Sequence, residues 1–161
     1  MEDKNRIKSW LIQLSVVALG ILFLIIYVVI PGSKDINYTK KAESVEKNLN
    51  ELRVALEEYY RITGEYPELT RAEAYNNLKI LDYVDKKGNK ISFAKIYKKN
   101  SIKFTEGTDK LGKNNKVFDT NDFKKRNGLA GWNYDYSGQT GEIHPNLPNN
   151  MYMQNINWSD Q

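Results

Sequence analysis

Apolar and polar positions divide this chain sharply. From Trp10 to Ile30 nearly every residue is apolar, none is charged, and Gln13 and Ser15 are the clearly polar exceptions. Those 21 residues predict a helix of roughly 31 Å at about 1.5 Å per residue, which matches a bilayer hydrocarbon core of about 30 Å. The run is longer than the apolar core of a cleavable signal peptide. It ends in Ile30-Pro31-Gly32-Ser33 rather than in an A-x-A-like site. The expectation is a short tail over 1–9 followed by a transmembrane helix over 10–30. Pro31-Gly32 is expected to break or kink that helix.

Helical periodicity resumes beyond it. Ala42, Val45, Leu49, Leu52, Leu56 and Tyr59 recur at alternating spacings of three and four, with charged residues between them. That pattern predicts one narrow apolar stripe facing a core. Gly64 is placed to stop the helix, and Pro67 follows. A shorter helix is expected from Thr70, where Thr70-x-x-Glu73 has the form of a capping box. Ile91 to Tyr97 reads as a strand, and residues 106 to 128 as mostly loop. Trp132-Asn133-Tyr134 and Glu142-Ile143-His144 read as the two arms of a hairpin turned by Ser137 to Gly141. The Asn-rich residues 149–161 read as a flexible tail. The fold class is therefore α+β: a long N-terminal helix, its first half transmembrane, packed on a small antiparallel β-sheet in a domain spanning 31–148.

Charge changes the picture by its distribution. Residues 35–85 carry 7 basic and 11 acidic side chains, residues 86–126 carry 13 and 4, and residues 127–161 carry none and 3. A basic middle between acidic flanks is most often a solvated surface, and can also attract an anionic partner or the acidic face of another copy. The chain has no cysteine and a single histidine, His144, which removes thiol chemistry, Cys-type zinc sites and most His-dependent catalytic groupings.

Three local patterns, in order, carry a resemblance. The first is Leu11-Ile12-Gln13-Leu14 opening the apolar run, with Pro31 near its end. The second is Leu49-x-x-Leu52-x-x-Ala55-Leu56-x-x-Tyr59 followed by Gly64-Glu65-Tyr66-Pro67. The third is Gly131-Trp132-Asn133-Tyr134-Asp135 with Gly141-Glu142-Ile143-x-Pro145-Asn146. Together they resemble the type IV pilin and type II secretion pseudopilin family, over most of the chain. Precursors of that family run Gly-Phe-Thr-Leu-Ile-Glu-Leu into a hydrophobic helix and are cleaved after the Gly. Here Lys8 stands at the Gly and Gln13 at the Glu. The resemblance implies a pilin-like fold and a structural or accessory subunit of a type IV pilus or type II secretion-like assembly. Its partners would be membrane lipid and other pilin-like subunits, with Gln13, Leu14 and Pro31 as the assembly residues. It also implies the cytoplasmic membrane, with the tail inside and the domain outside. The departures are coupled: cleavage in the family frees an amine that pairs with a neighbour's Glu, and a carboxylate in lipid without such a partner is costly. An uncleaved member is better served by a neutral Gln13. The bland alternative is that Gln13 is a polar residue tolerated near the membrane boundary.

Chemistry is sparse elsewhere. Gly-rich phosphate loops are missing, and the side chains used for acid–base or nucleophilic work do not cluster, so neither an enzyme nor a cofactor is expected. Asp119, Asn121 and Asp122 are weak calcium ligands, since EF-hand spacing is absent; ordinary turn residues are the simpler reading. His144 is expected at an exposed or half-buried position, and Trp132, Tyr134 and Tyr136 are expected to pack. A second function class is a membrane-anchored binding module for an anionic ligand such as DNA. Nucleic acid is the weaker partner, because no recognition helix accompanies the lysines. One outcome follows from Lys8. Intact-mass measurement of the protein extracted from membranes should show the native N-terminus apart from removal of the initiator Met. Loss of the residues up to Lys8 would overturn the uncleaved reading.

Overall fold

The computed structural model describes residues 2–161, with side chains from Arg6 onward except that of Ser9. Helix α1 covers Glu2–Leu24, a π-helical turn covers Ile25–Val29, and α2 covers Ile30–Thr63. Pro31-Gly32 therefore does not end the helix. In the π turn the Ile30 amide donates to the Ile25 carbonyl, five residues back. A proline has no amide to donate, and its ring crowds the carbonyl four residues earlier, here that of Tyr27. A wider turn immediately before it is a common way for a helix to absorb such a residue.

The chain divides into two units, Met1–Tyr38 and Thr39–Gln161. Within the second, the stripe on α2 is buried as its spacing predicts: Ala42, Val45, Leu49, Leu52, Leu56 and Tyr59, joined by Ala55. Leu52 has no accessible surface, whereas Val54, on the opposite side of the same turns, is 71% exposed. Helix α2 stops at Thr63, where Gly64 takes a left-handed conformation and its amide returns to the Tyr60 carbonyl at 2.7 Å. The Tyr59 ring meets Phe93 edge-on at 5.6 Å, and its hydroxyl donates to the Leu81 carbonyl at 3.3 Å. Burial and neighbouring carboxylates push this phenol up to about 12.

Short elements surround that stripe. Strands β1 (Tyr83–Val84) and β2 (Lys90–Ile91) form an antiparallel pair. Helix α3 covers Phe93–Tyr97. Strands β3 (Val117–Asp119), β4 (Trp132–Tyr134) and β5 (Ile143–Pro145) form a second sheet in the order β3-β4-β5. The β4–β5 hairpin is as expected, with Asn133 opposite His144. The sheet is mixed rather than antiparallel, because β3 runs parallel to β4, Phe118 opposite Asn133. A parallel pair needs a crossover of about a dozen residues, and residues 120–131 supply it. That same β3 lies inside the stretch expected to be loop.

Three further expectations fail for local reasons. No helix starts at Thr70: Glu73 is left-handed, and a single 3-10 turn, Leu78–Leu81, forms instead, with the Asn77 side chain accepting from the Lys79 amide. Ile91 to Tyr97 is not one strand. It pairs only to Ile91, then turns into α3, which buries Phe93, Ala94 and Tyr97 on one side. A short apolar run satisfies both periods, and here the helical one wins. Residues 149–161 are not loosely held, for Tyr152 and Trp158 are buried and meet edge-on at 5.6 Å. Arg53 on α2 donates to the Ile143 carbonyl at 2.8 Å and to the carbonyl of Gln161, tying β5 and the last residue to one guanidinium.

Gly131 shows how tightly the sheet is assembled. Its φ is +91°, and a Cβ there would lie 2.4 Å from the Lys116 carbonyl oxygen. Gly112 has neither constraint. Gly131→Ala is expected to cost about 2 kcal/mol or more, and Gly112→Ala within about 0.5 kcal/mol. Chemical unfolding of the full chain in detergent, followed by the fluorescence of buried Trp132 and Trp158, measures both.

Candidate functional site

Every described residue from Trp10 to Ile36 is exposed. The apolar ones include Leu14 at 54% and Ile26 at 46%, surfaces that a folded protein in water normally covers. Among the described residues this is the helix long and apolar enough to cross a membrane. Ser15 satisfies its hydroxyl within the helix, donating to the Ile12 carbonyl at 2.8 Å, as Ser33 does to Ile30. Gln13 and Leu14 stand exposed side by side on α1, and Pro31 is exposed in the first turn of α2. The structure thus leaves all three residues of the expected assembly set accessible on one helical run. An amide such as that of Gln13 both donates and accepts, which is the chemistry that joins apolar helices across a lipid environment.

Two residues of the weak calcium set, Asp119 and Asp122, make hydrogen bonds within turns. Asp119 accepts from the Tyr136 amide at 3.2 Å, the Ser137 amide at 3.1 Å and the Ser137 hydroxyl. Partial burial works against its charged form, but the Ser137 and Tyr136 donors outweigh that and hold its carboxyl below the usual carboxylate range. Asp122 accepts from the Lys124 amide at 3.2 Å. Among the described residues no three His, Cys, Asp or Glu side chains gather as a metal site. Asp119 and Asp122 act in turns here, Asp119 locking the start of the 136–141 loop to the end of β3.

His144 is buried rather than exposed or half-buried. Its Nε2 lies 2.9 Å from a Glu142 carboxylate oxygen, and its ring is 4.3 Å from that of Phe123. Trp132 and Tyr134 are fully buried, with Trp132 Nε1 donating to the Lys103 carbonyl at 2.8 Å and the Tyr134 hydroxyl to the Pro67 carbonyl at 3.1 Å. Tyr136 is half-buried. Stacking of nucleic-acid bases needs exposed rings, and those of Trp132 and Tyr134 are inside.

The basic middle is partly spent within the chain. Lys99 pairs with Glu51 on α2, Lys90 pairs with Asp82 at 2.6 Å, and Lys113 and Lys116 lie over the rings of Phe104 and Phe118 at 5.4 and 5.5 Å. From the acidic flank, Lys41 donates to the Gly107 carbonyl at 2.6 Å. No sequence spacing points to Arg53, Lys99 or Asp82 as organising residues, because each finds its partner through the tertiary fold. Compared with protein-family models, curated proteins and solved structures, the chain matches none.

The Lys99 pair gives a pH dependence. The hydrogen bond from Lys99 lowers the pKa of Glu51. A carboxyl whose folded pKa lies below its unfolded value, about 4.3, contributes stability above that value and loses it as pH falls through the folded pKa. Glu51→Gln should therefore lower the melting temperature at pH 7, and its difference from the parent should shrink as pH drops below about 4. Thermal scans of both proteins across pH 2–7 check this, and a constant difference would contradict it.

Proposed function

We propose that this chain is a membrane-anchored, pilin-like structural or accessory subunit of a type IV pilus or type II secretion-like assembly. The observation that carries the reading is the charge-free, wholly exposed helical segment from Trp10 to Ile30, in a chain whose remaining residues build an α+β unit on the buried stripe of α2. A helix satisfies its own backbone and so can sit in lipid, and neighbouring apolar helices cover it there by close packing and by bonds from polar side chains. Gln13 and Leu14 form the contact near one end of the segment, and Pro31 with its π turn sets the path at the other. Lys8 leaves the chain uncleaved, and the neutral Gln13 needs no amine partner. The tail faces the cytoplasm, and residues beyond 31 lie on the outer side of the cytoplasmic membrane.

An anionic-ligand module remains the second reading, but duplex DNA is the poorer ligand. Lys90 and Lys99 are engaged in ion pairs, Lys113 and Lys116 lie over rings, and Trp132 and Tyr134 offer no face.

The chain has no cysteine, so a single introduced thiol reports one position. With Leu14→Cys, a bismaleimide added to native membranes should link two copies of the chain through their introduced thiols, or the chain to another pilin-like chain that carries a cysteine at the facing position. Thiol introduced at Lys124 should give no such product. Protease added to intact spheroplasts should remove residues beyond 31. Carbonate extraction of the chain from membranes, or Leu14→Cys staying monomeric, would defeat the anchor or the assembly reading respectively.

A further inference from the structure

The crossover between β3 and β4 carries chemistry of its own. Of the chain's asparagines, Asn127 is the one followed by glycine. Both residues are exposed, and Gly128 is left-handed at φ +74° with open space where a side chain would stand. A glycine nitrogen is shielded by no Cβ. Succinimide formation, in which a backbone nitrogen attacks the side-chain amide of the residue before it, calls for such an unshielded nucleophile held close to its target.

The fold fixes one half of this pair and leaves the other half free. Asn127 Oδ1 accepts from the Leu129 amide at 2.9 Å, which closes an Asx turn whose ring contains the Gly128 nitrogen. It also accepts from Asn146 Nδ2 at 2.5 Å. Asn146 follows β5 and is buried, and its Nδ2 group donates to the Ala130 carbonyl at 3.0 Å as well. The Leu129 carbonyl is held in turn by Asn114 Nδ2 at 2.7 Å. By contrast, among the described residues nothing accepts from the Gly128 amide or from Asn127 Nδ2. Two N–H groups therefore hold the carbonyl oxygen, while the nucleophilic and leaving nitrogens belong to exposed residues and have no bond within the chain to break.

That division of contacts suits attack on Asn127 Cγ. As the Gly128 nitrogen adds to Cγ, negative charge develops on Oδ1, and donors already aimed at that oxygen stabilise it without reorganising. One donor comes from the same turn. The other comes from a residue 19 positions away, which only the fold delivers. Removing one such donor from an enclosed active site costs roughly 10²–10³ in rate, and at an exposed loop about tenfold is expected.

We propose that Asn127 is a self-modification site, which the fold converts to a succinimide with Gly128 and then to a carboxylate. The Gly128 nitrogen gives its proton to water and bonds to Asn127 Cγ. The Cγ–Nδ2 bond breaks, and Nδ2 takes a proton from water and leaves as ammonia. Water then opens the imide ring. Cleavage between Cγ and the Gly128 nitrogen gives aspartate, and cleavage between the residue 127 backbone carbonyl and that nitrogen gives isoaspartate. In both cases one amide and one water become one carboxylic acid and one ammonia. The aspartate product keeps the Leu129 and Asn146 donors, now on a charged acceptor that binds them more strongly. It also sets a negative charge directly after Lys124, Lys125 and Arg126 in the chain. The site is distinct from the apolar helix and stands whether or not the chain assembles with others.

The test ages the full chain at neutral pH in detergent micelles, with peptide mapping by mass spectrometry and an isoaspartate assay as readouts. Asn127 should take on the mass of a carboxylate before any other asparagine. The folded chain should react about tenfold faster than the same chain in guanidinium chloride, because only the fold supplies Asn146. That comparison is made on the parent chain and needs no variant to fold. Asn146→Ala, and Asn146→Asp, which keeps the shape but lacks the N–H donor, should each slow the folded chain about tenfold and leave the denatured rate unchanged. The fluorescence of buried Trp132 and Trp158 reports that these variants are folded. Gly128→Ala should slow both states, which marks the Gly128 nitrogen as the nucleophile. A denatured rate equal to or above the folded one, folded Asn146 variants that react like the parent, or aspartate without isoaspartate would overturn the proposal. None of those outcomes alters the crosslinking result at Leu14.

Discussion

The buried stripe from Ala42 to Tyr59 is what residues 39–161 depend on. Among the described residues no strand is longer than three residues, and the two sheets contain two and three strands. Such sheets cannot stand alone in water and need an apolar partner. The stripe supplies one, with Leu52 and Val45 wholly out of solvent, and Tyr59 reaching both Phe93 and the Leu81 carbonyl. Polar contacts then give direction to what burial alone would leave loose. Arg53 holds the Ile143 carbonyl, and Lys99 holds Glu51. Together they hold β5 and the segment after α3 to the same helix.

Residues 10–30 face the opposite situation, with an apolar surface exposed at every position. Helical hydrogen bonding makes such a segment self-sufficient in lipid, and Ser15 shows the rule at small scale by bonding back to Ile12. Pro31 breaks the rule locally, and the π turn at Ile25–Val29 is the accommodation. The helix continues through it into residues whose stripe is buried.

Four lysines of the basic middle are engaged within the chain. Partners on other elements absorb Lys90 and Lys99, and aromatic faces absorb Lys113 and Lys116. Part of a row of lysines in the sequence thus becomes a few structural ties.

The sequence by itself determined the features governed by period and length. These are the apolar run, the buried stripe, the stop at Gly64, the β4–β5 hairpin and the α+β class, since each is a one-dimensional pattern with a direct geometric meaning. Gln13 and Leu14 lie exposed on that run and Pro31 exposed just after it. Only the tertiary structure decided where two patterns were equally good or where the partner was remote. Phe93 to Tyr97 could be strand or helix, and burial of one helical side chose the helix. The parallel pairing of β3 depends on how residues 120–131 return, which no local spacing encodes. Trp158 and Tyr152 hold down an Asn-rich end because a core exists to receive them, and His144 is buried because Phe123 covers it. The Lys90–Asp82 pair is a further case: its residues come from the end of a turn and from a strand, and a contact set by chain folding has no signature along the chain.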